Sequence, residues 1–303
     1  MASPVPKRGK KKRGASPPPV ARPLPVAQLL IEGFWELHRN FASYLRVSAI
    51  LLLLVHVTGY LLTWLGIALA AAAGDDAGAL ASILSFIWII AAWALYLGVG
   101  LVIARLCHRA VILGERPTLR GAFRLSHEFR HYARTAFSVF LVPGLLFVVV
   151  YAVAIHRFRG LATSVNWSAG LPYLTLAWIA AAAPRAILAL PIAATTSDPD
   201  PVRRAIKMSP HNRLRLFAVM ALTVLPAALV WLLFHLAHDA LTDRLAWAGE
   251  LRPLGLWAIG YAANLADALL LVPAVAAISS AYVRLAGDLA GRDIAPVSSP
   301  ASH

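Results

Sequence analysis

Apolar residues along this chain fall into six long runs that are separated by shorter charged segments. The runs cover 47–73, 79–104, 135–156, 171–194, 214–236 and 254–284. Each run is long enough to cross the ~30 Å hydrocarbon core of a bilayer. In lipid the backbone must satisfy its own hydrogen bonds, so each run is expected to be a helix. The pattern predicts an all-α, polytopic membrane protein with six transmembrane helices.

The composition agrees with this pattern. Hydrophobic residues make up 59% of the 303 residues and charged residues only 14%, whereas a soluble domain is about 45–50% apolar. The single cysteine, Cys107, excludes an intramolecular disulfide.

The two ends of the chain differ from the apolar middle. Residues 1–25 are rich in proline and carry six basic residues between Lys7 and Arg13, which prevents a packed core. We predict a disordered basic cytoplasmic tail at 1–25, a transmembrane domain at 26–290 and a disordered cytoplasmic tail at 291–303.

The basic tail indicates a partner. Its central cations are Lys10, Lys11, Lys12 and Arg13. A basic segment just before a membrane span is attracted to anionic phospholipid headgroups. The same run could bind nucleic acid, but the apolar runs close behind it favour lipid, and we expect no nucleic-acid partner.

Charge asymmetry predicts the orientation. The chain up to Arg46 carries nine Lys and Arg residues, 105–134 carries seven, 203–215 carries five and the C-terminal tail two, whereas the three opposite connections together carry four. Because short cytoplasmic loops are enriched in Lys and Arg, both termini should face the cytoplasm of a bacterial inner membrane.

An internal repeat underlies these segments. "RGAFRLSHEFRHYARTAFSVFLVPGLL" (120–146) aligns without gaps with "RRAIKMSPHNRLRLFAVMALTVLPAAL" (203–229). The paired positions include Arg120/Arg203, Ala122/Ala205, Arg124/Lys207, Ser126/Ser209, Arg130/Arg213 and Pro143/Pro226. A weaker third copy covers 30–45, where Arg39 takes the place of Arg130. Self-similarity of this kind indicates repeated supersecondary units, here three units of an interfacial amphipathic helix followed by a membrane hairpin.

The interfacial helices have one apolar and one basic face. We predict a helix over 117–134 and a shorter counterpart that begins at Asp200-Pro201 and is interrupted by Pro210. Such helices lie in the membrane interface with cations towards phosphates. The expected headgroup contacts on them are Arg120, Arg124, Arg203, Arg204 and Lys207.

The stretch "LSHEFRHY" contains the HExxH pattern of zinc hydrolases at His127, Glu128 and His131. Two histidines four apart share a helix face and can chelate zinc, while the glutamate activates a water molecule. Arg130 places a positive charge between the two histidines, and no third ligand is evident on a neighbouring segment. We therefore expect no metal site, with zinc hydrolysis as the least favoured alternative.

Polar residues inside the predicted spans are a second candidate site. Arg185 lies in the fourth span and Asp267 in the sixth, at nearly the same depth, with Asn264 one turn away and His56 nearby in the first span. An isolated charge at this depth costs at least ~2.5 kcal/mol. We predict an ion pair between Arg185 and Asp267, either as a staple between helices or as part of a transport path.

The segment "PRAILALPIAATTSDPDPVRRAIKMS" (184–209) resembles a bacterial six-helix inner-membrane family. This family is the membrane domain fused to some glycerophosphodiester phosphodiesterases, together with stand-alone relatives of mostly unknown function. Arg185, Pro191, Ala205 and Ser209 match its pattern, whereas Thr195, Thr196 and Pro210 depart from it. The resemblance implies the fold and the location and supplies no catalytic residues.

These observations favour a non-enzymatic, membrane-organising or accessory protein in envelope or lipid homeostasis, without a cofactor. Its expected partners are anionic phospholipid headgroups and an unknown membrane protein. The alternative is a transporter or permease component that uses Arg185 and Asp267.

Overall fold

The computed structural model describes residues 23–72, 77–124, 126–140, 184–244 and 252–293. These ranges are helical or connect helices, and they contain no strand. The predicted all-α class is therefore confirmed. The cations Lys10 to Arg13 and most of the predicted third and fourth spans lie outside the described residues.

Eight α-helices occur in these ranges. They are α1 (Val26–Ala72), α2 (Ala77–Leu113), α3 (Leu119–Ala122), α4 (127–140), α5 (Ala189–Thr195), α6 (Pro201–Met208), α7 (Arg213–Arg244) and α8 (Arg252–Asp293). A 3-10 turn, Ala186–Leu188, leads directly into α5.

Three helices are long and apolar enough to cross a membrane within the described part of the chain. The apolar stretches are Phe41–Gly66 in α1, Ala94–Leu113 in α2 and Trp257–Asp288 in α8. They overlap the first, second and sixth predicted spans. The predicted span at 214–236 lies within the 32-residue helix α7.

Helices α1, α2 and α8 pack together and form the centre of the protein. Glu32 near the start of α1 pairs with Arg284 near the end of α8, and the Tyr261 hydroxyl donates to the Ala49 carbonyl at 2.8 Å. These two helices are therefore antiparallel. The start of α1 and the ends of α2 and α8 lie together, and we call this the basic end of the bundle.

Helix α1 approaches α8 closely at Gly33. A Cβ atom built on Gly33 would collide with the carbonyl oxygen of Pro273 and would lie 3.3 Å from the Ala277 Cβ. Only a residue without a side chain permits this approach. The packing of the two longest helices therefore depends on glycine at this position.

We expect Gly33→Ala to destabilise the protein by about 1–3 kcal/mol, because overpacking would force the two backbones apart. The measurement is the Tm of purified protein in detergent. Gly66→Ala in the same helix is the matched control, since a Cβ there meets nothing within 4 Å. An equal effect of the two substitutions would contradict the proposed close approach.

The predicted amphipathic helix over 117–134 is wrong as a single element. Thr118 caps α3 by accepting a hydrogen bond from the Gly121 amide at 3.1 Å, and the helix ends after one turn. Gly121 favours this early end because glycine is a poor helix former. The chain becomes helical again at 127, so the segment consists of a short helix, a break and α4.

Helix α6 follows its prediction. Asp200 caps it by accepting from the Arg203 amide at 3.1 Å, Pro201 occupies the first turn, and the helix ends at Met208 before Pro210. A break and the long helix α7 follow. Over their described residues, the two segments aligned in the sequence repeat thus share the order short helix, break, longer helix.

The residue just before the predicted start of the transmembrane domain at 26 is bonded to a distant part of the chain. Leu24 is buried, its amide donates to the Asn212 Oδ1 at 3.1 Å, and its carbonyl accepts from Arg215 at 2.7 Å. These bonds fix the chain against the turn between α6 and α7. Ordered structure therefore begins before the first apolar run.

Candidate functional site

The predicted headgroup cations of the two short helices are exposed. Arg120, Arg124, Arg203, Arg204 and Lys207 all have exposed side chains. On α6 the opposite face, made of Pro201, Ala205 and Met208, is buried. Helix α6 is therefore amphipathic as predicted, with its cations away from the protein core.

Only one of the α6 cations has an acidic partner among the described residues. Arg204 pairs with Asp198 at 3.1 Å. The Asp200 amide and Arg204 together hold the pKa of Asp198 below its usual range. The side chains of Arg203 and Lys207 form no ion pair or hydrogen bond within this part of the chain, which leaves them free for an external anion.

Arg109, near the end of α2, connects several segments at the basic end. Its Nε and Nη2 donate to both carboxylate oxygens of Glu115, at 2.7 and 2.6 Å. Its Nη1 lies 3.3 Å from Glu128 Oε2 and from the Ala194 carbonyl. This bidentate pair also holds the pKa of Glu115 below its usual range. Arg109 thus joins α2, the 114–118 loop, α4 and α5.

Glu128, the glutamate of the HExxH pattern, is a second acidic partner of the arginines in α2. Its Oε2 accepts from Arg105 at 3.1 Å as well as from Arg109. The Arg105 side chain is only 6% exposed, and its guanidinium lies 5.9 Å from the centroid of the Phe129 ring. Because a buried arginine needs a counter-ion, Glu128 stabilises the charge of Arg105.

The two histidines of the pattern do not complete a metal site here. His127 is exposed, and His131 is half-buried, with an Nε2 atom that has no hydrogen-bond partner in the part of the chain that the structure describes. Across the described ranges, no group of three or more His, Cys, Asp or Glu side chains is placed to hold a metal ion. Within these ranges, Glu128 of the pattern belongs to an ion-pair network with Arg105 and Arg109.

A polar cluster joins the three central helices away from the basic end. The Tyr96 hydroxyl lies 3.3 Å from the His56 Nε2 and accepts from the Asn264 amide at 3.3 Å. The His56 ring also makes edge contacts with Trp257 and Tyr261. The predicted residues His56 and Asn264 therefore meet through a tyrosine, which satisfies polar groups within apolar helices.

The predicted ion pair between Arg185 and Asp267 is not formed. The Arg185 Nη2 donates to the Pro210 carbonyl at 2.9 Å, because Arg185 lies at the turn before the 3-10 segment, beside the break that follows α6. Asp267 forms no ion pair or hydrogen bond with any other described residue. Arg185 therefore links two connecting segments, and it does not join two membrane helices.

No family model, curated protein or solved structure matches this chain.

Sequence reasoning missed the counter-ions and the aromatic residues of these clusters. Glu115 and Glu128 are the only two acids among the seven cations of 105–134, and this ratio was a usable signal that both are paired. Tyr96 and Trp257 carried no such signal, since aromatic residues are common in apolar helices and their contacts arise only from the packing.

We expect Glu128→Gln to lower the free energy of unfolding by about 1–2 kcal/mol, because Arg105 and Arg109 lose a charged acceptor, while partial exposure of Glu128 screens the loss. The measurement is the Tm in detergent. His127→Gln is the matched control, since the His127 side chain is exposed and forms no hydrogen bond with any described residue.

The same two variants separate the ion-pair interpretation from a zinc site. Both lie in the HExxH pattern, and a metal ligand would be more sensitive to substitution than its neighbouring glutamate. A larger loss of stability in His127→Gln than in Glu128→Gln, together with bound zinc in the purified protein, would overturn the ion-pair account.

Proposed function

We propose that this protein is a non-enzymatic inner-membrane protein that binds anionic phospholipid headgroups. Its proposed role is that of a membrane-organising or accessory protein in bacterial envelope or lipid homeostasis. The observation that carries this proposal is the amphipathic character of α6. Pro201, Ala205 and Met208 are buried, whereas Arg203 and Lys207 are exposed and pair with no acid among the described residues. A helix of this kind lies in the interface with its cations towards lipid phosphates.

The positions of the segments before α3 and α6 support the proposal that the exposed cations lie on one side of the membrane. Arg109 bonds both Glu115 and the Ala194 carbonyl, so the loop before α3 and the segment before α6 lie at the same end of α2. The exposed cations of α3 and α6 are therefore near one end of the three apolar helices. In the proposed orientation this end faces the cytoplasm, together with both termini.

The proposed topology has six membrane crossings, arranged as three repeats of an interfacial helix and a hairpin. Three apolar helices of sufficient length support it, as does the long helix α7, which follows α6 in the order that the repeat requires. The family resemblance drawn from 184–209 is part of the same proposal and agrees with this topology.

The transporter alternative has less support. It combined Arg185 with Asp267, but Arg185 is bound to the Pro210 carbonyl. The zinc-hydrolase alternative is weaker still, since Glu128 is the counter-ion of two arginines. We therefore propose the lipid-binding function alone.

In a test with the full-length protein, spin-labelled phosphatidylglycerol and phosphatidylcholine would compete for the protein surface in reconstituted membranes. We expect a preference for phosphatidylglycerol that falls in R203Q/K207Q and as salt rises, because exposed charges are screened. Each surface cation contributes about 1 kcal/mol to binding of an anionic membrane.

The matched control is R244Q/R252Q, which removes the same charge at the end of α7 and the start of α8, on the side predicted to be opposite. This variant should keep most of the preference. An equal fall in both variants would show that net charge alone attracts the lipid, and no preference in the wild-type protein would overturn the proposal.

A further inference from the structure

A cleft of about 270 Å³ opens at the basic end between α1 and the loop before α3. Ser43, Arg46 and Val47 line it from α1, and 116–119 line it from the loop and α3. Its volume is below the ~300–1,000 Å³ of pockets for drug-sized ligands. The cleft is thus large enough for a small headgroup and too small for a whole lipid.

The polar lining of the cleft is cationic and unpaired. Arg46 and Arg116 are exposed and form no ion pair or side-chain hydrogen bond with any residue of the described ranges. The acid nearest in sequence, Glu115, has both carboxylate oxygens bonded to Arg109. No carboxylate lines the cleft, so two guanidinium groups are available to a phosphate ester, which they can bind in a bidentate manner.

Hydroxyl-bearing and apolar residues make up the rest of the lining of the cleft. The Thr118 Oγ1 accepts from the Gly121 amide, which leaves its hydrogen free to donate to an added oxygen. Ser43 also lines the cleft. Val47 and Pro117, which are both buried, add an apolar part to the lining.

An apolar track continues from the cleft along α1. At 100° per residue, Ser43, Leu54 and Val57 fall on one face of the helix. The side chains of Leu54 and Val57 are 50% and 45% exposed. They lie about 16–21 Å along the helix axis from Ser43, within the apolar stretch Phe41–Gly66. A free phosphate ester would not use this track, whereas acyl chains would cover it.

We propose that this cleft binds the phosphate of one phospholipid, with Arg46 and Arg116 on the phosphate and the acyl chains along the exposed face of α1. This inference rests on the proposed lipid-binding function and adds a defined headgroup site to it. The site differs from the α6 surface, since none of its lining residues belongs to α6.

Native mass spectrometry of the full-length protein in detergent would test the site by titration with phosphatidylglycerol. We expect R46Q/R116Q to raise the Kd at least about tenfold, a change worth about 1.4 kcal/mol, and R46K/R116K to raise it less. The control R244Q/R252Q removes two arginines on the side predicted to be opposite, away from the cleft, and its Kd should stay within about twofold of wild type.

Soluble sn-glycerol phosphate and inorganic phosphate distinguish the two sources of a phosphate group. We expect both to compete weakly, because they cannot cover Leu54 and Val57. If they displace the lipid at the lipid's own concentration, and R46Q/R116Q abolishes that effect, the cleft is a soluble-anion site and the lipid assignment is overturned.

The outcome for the cleft can be separated from the outcome for the broader function. Unchanged affinity in both R46Q/R116Q and R46K/R116K, with weaker binding in R203Q/K207Q, would overturn the cleft and leave the lipid-binding proposal standing. A wild-type protein that binds phosphatidylglycerol no better than phosphatidylcholine would overturn both.

Discussion

At the basic end of the bundle, arginine side chains pair with the acidic side chains, and the rest of this structure depends on these ion pairs. Five carboxylates there accept hydrogen bonds from neighbouring side chains, an arginine among them in every case: Glu32, Glu36, Glu115, Glu128 and Asp198. The Glu115 and Glu128 pairs hold the 114–118 loop and α4 against α2, and the Glu32 pair joins α1 to α8. The side chains of Arg203 and Lys207 form no ion pair with any acid of the described ranges, and they are therefore left for anions outside the protein.

The same kind of pairing explains how an acidic side chain can be buried in the first part of α1. Glu36 is only 6% exposed, and it accepts from Arg39, Asn40 and Tyr44. Asn40 leaves the helical conformation, with φ −113° and ψ 18°, at the point where the polar part of α1 meets its apolar part. The carboxylate thereby stabilises the kink in α1 at Asn40.

Much of the fold could be predicted from sequence, because long apolar runs and capping residues act locally. Asp200 and Pro210 bound α6 as expected from their own chemistry. The break after α3 was not predicted, since amphipathic periodicity continues across it. The partner of Arg185 could not be predicted either: depth along two spans indicated Asp267, but the turn before α5 directs the guanidinium to the Pro210 carbonyl. Of the site, the α6 cations were predicted, whereas the cleft exists only through packing.

The central claim is that the unpaired cations of α3 and α6 lie on one side of the membrane. Single cysteines at 120 and 207 would test it most directly, because Cys107 is fully buried and should not react. In intact spheroplasts a membrane-impermeant thiol reagent should label neither position, and after permeabilisation it should label both. Labelling of one position in intact cells and of the other only after permeabilisation would contradict the account.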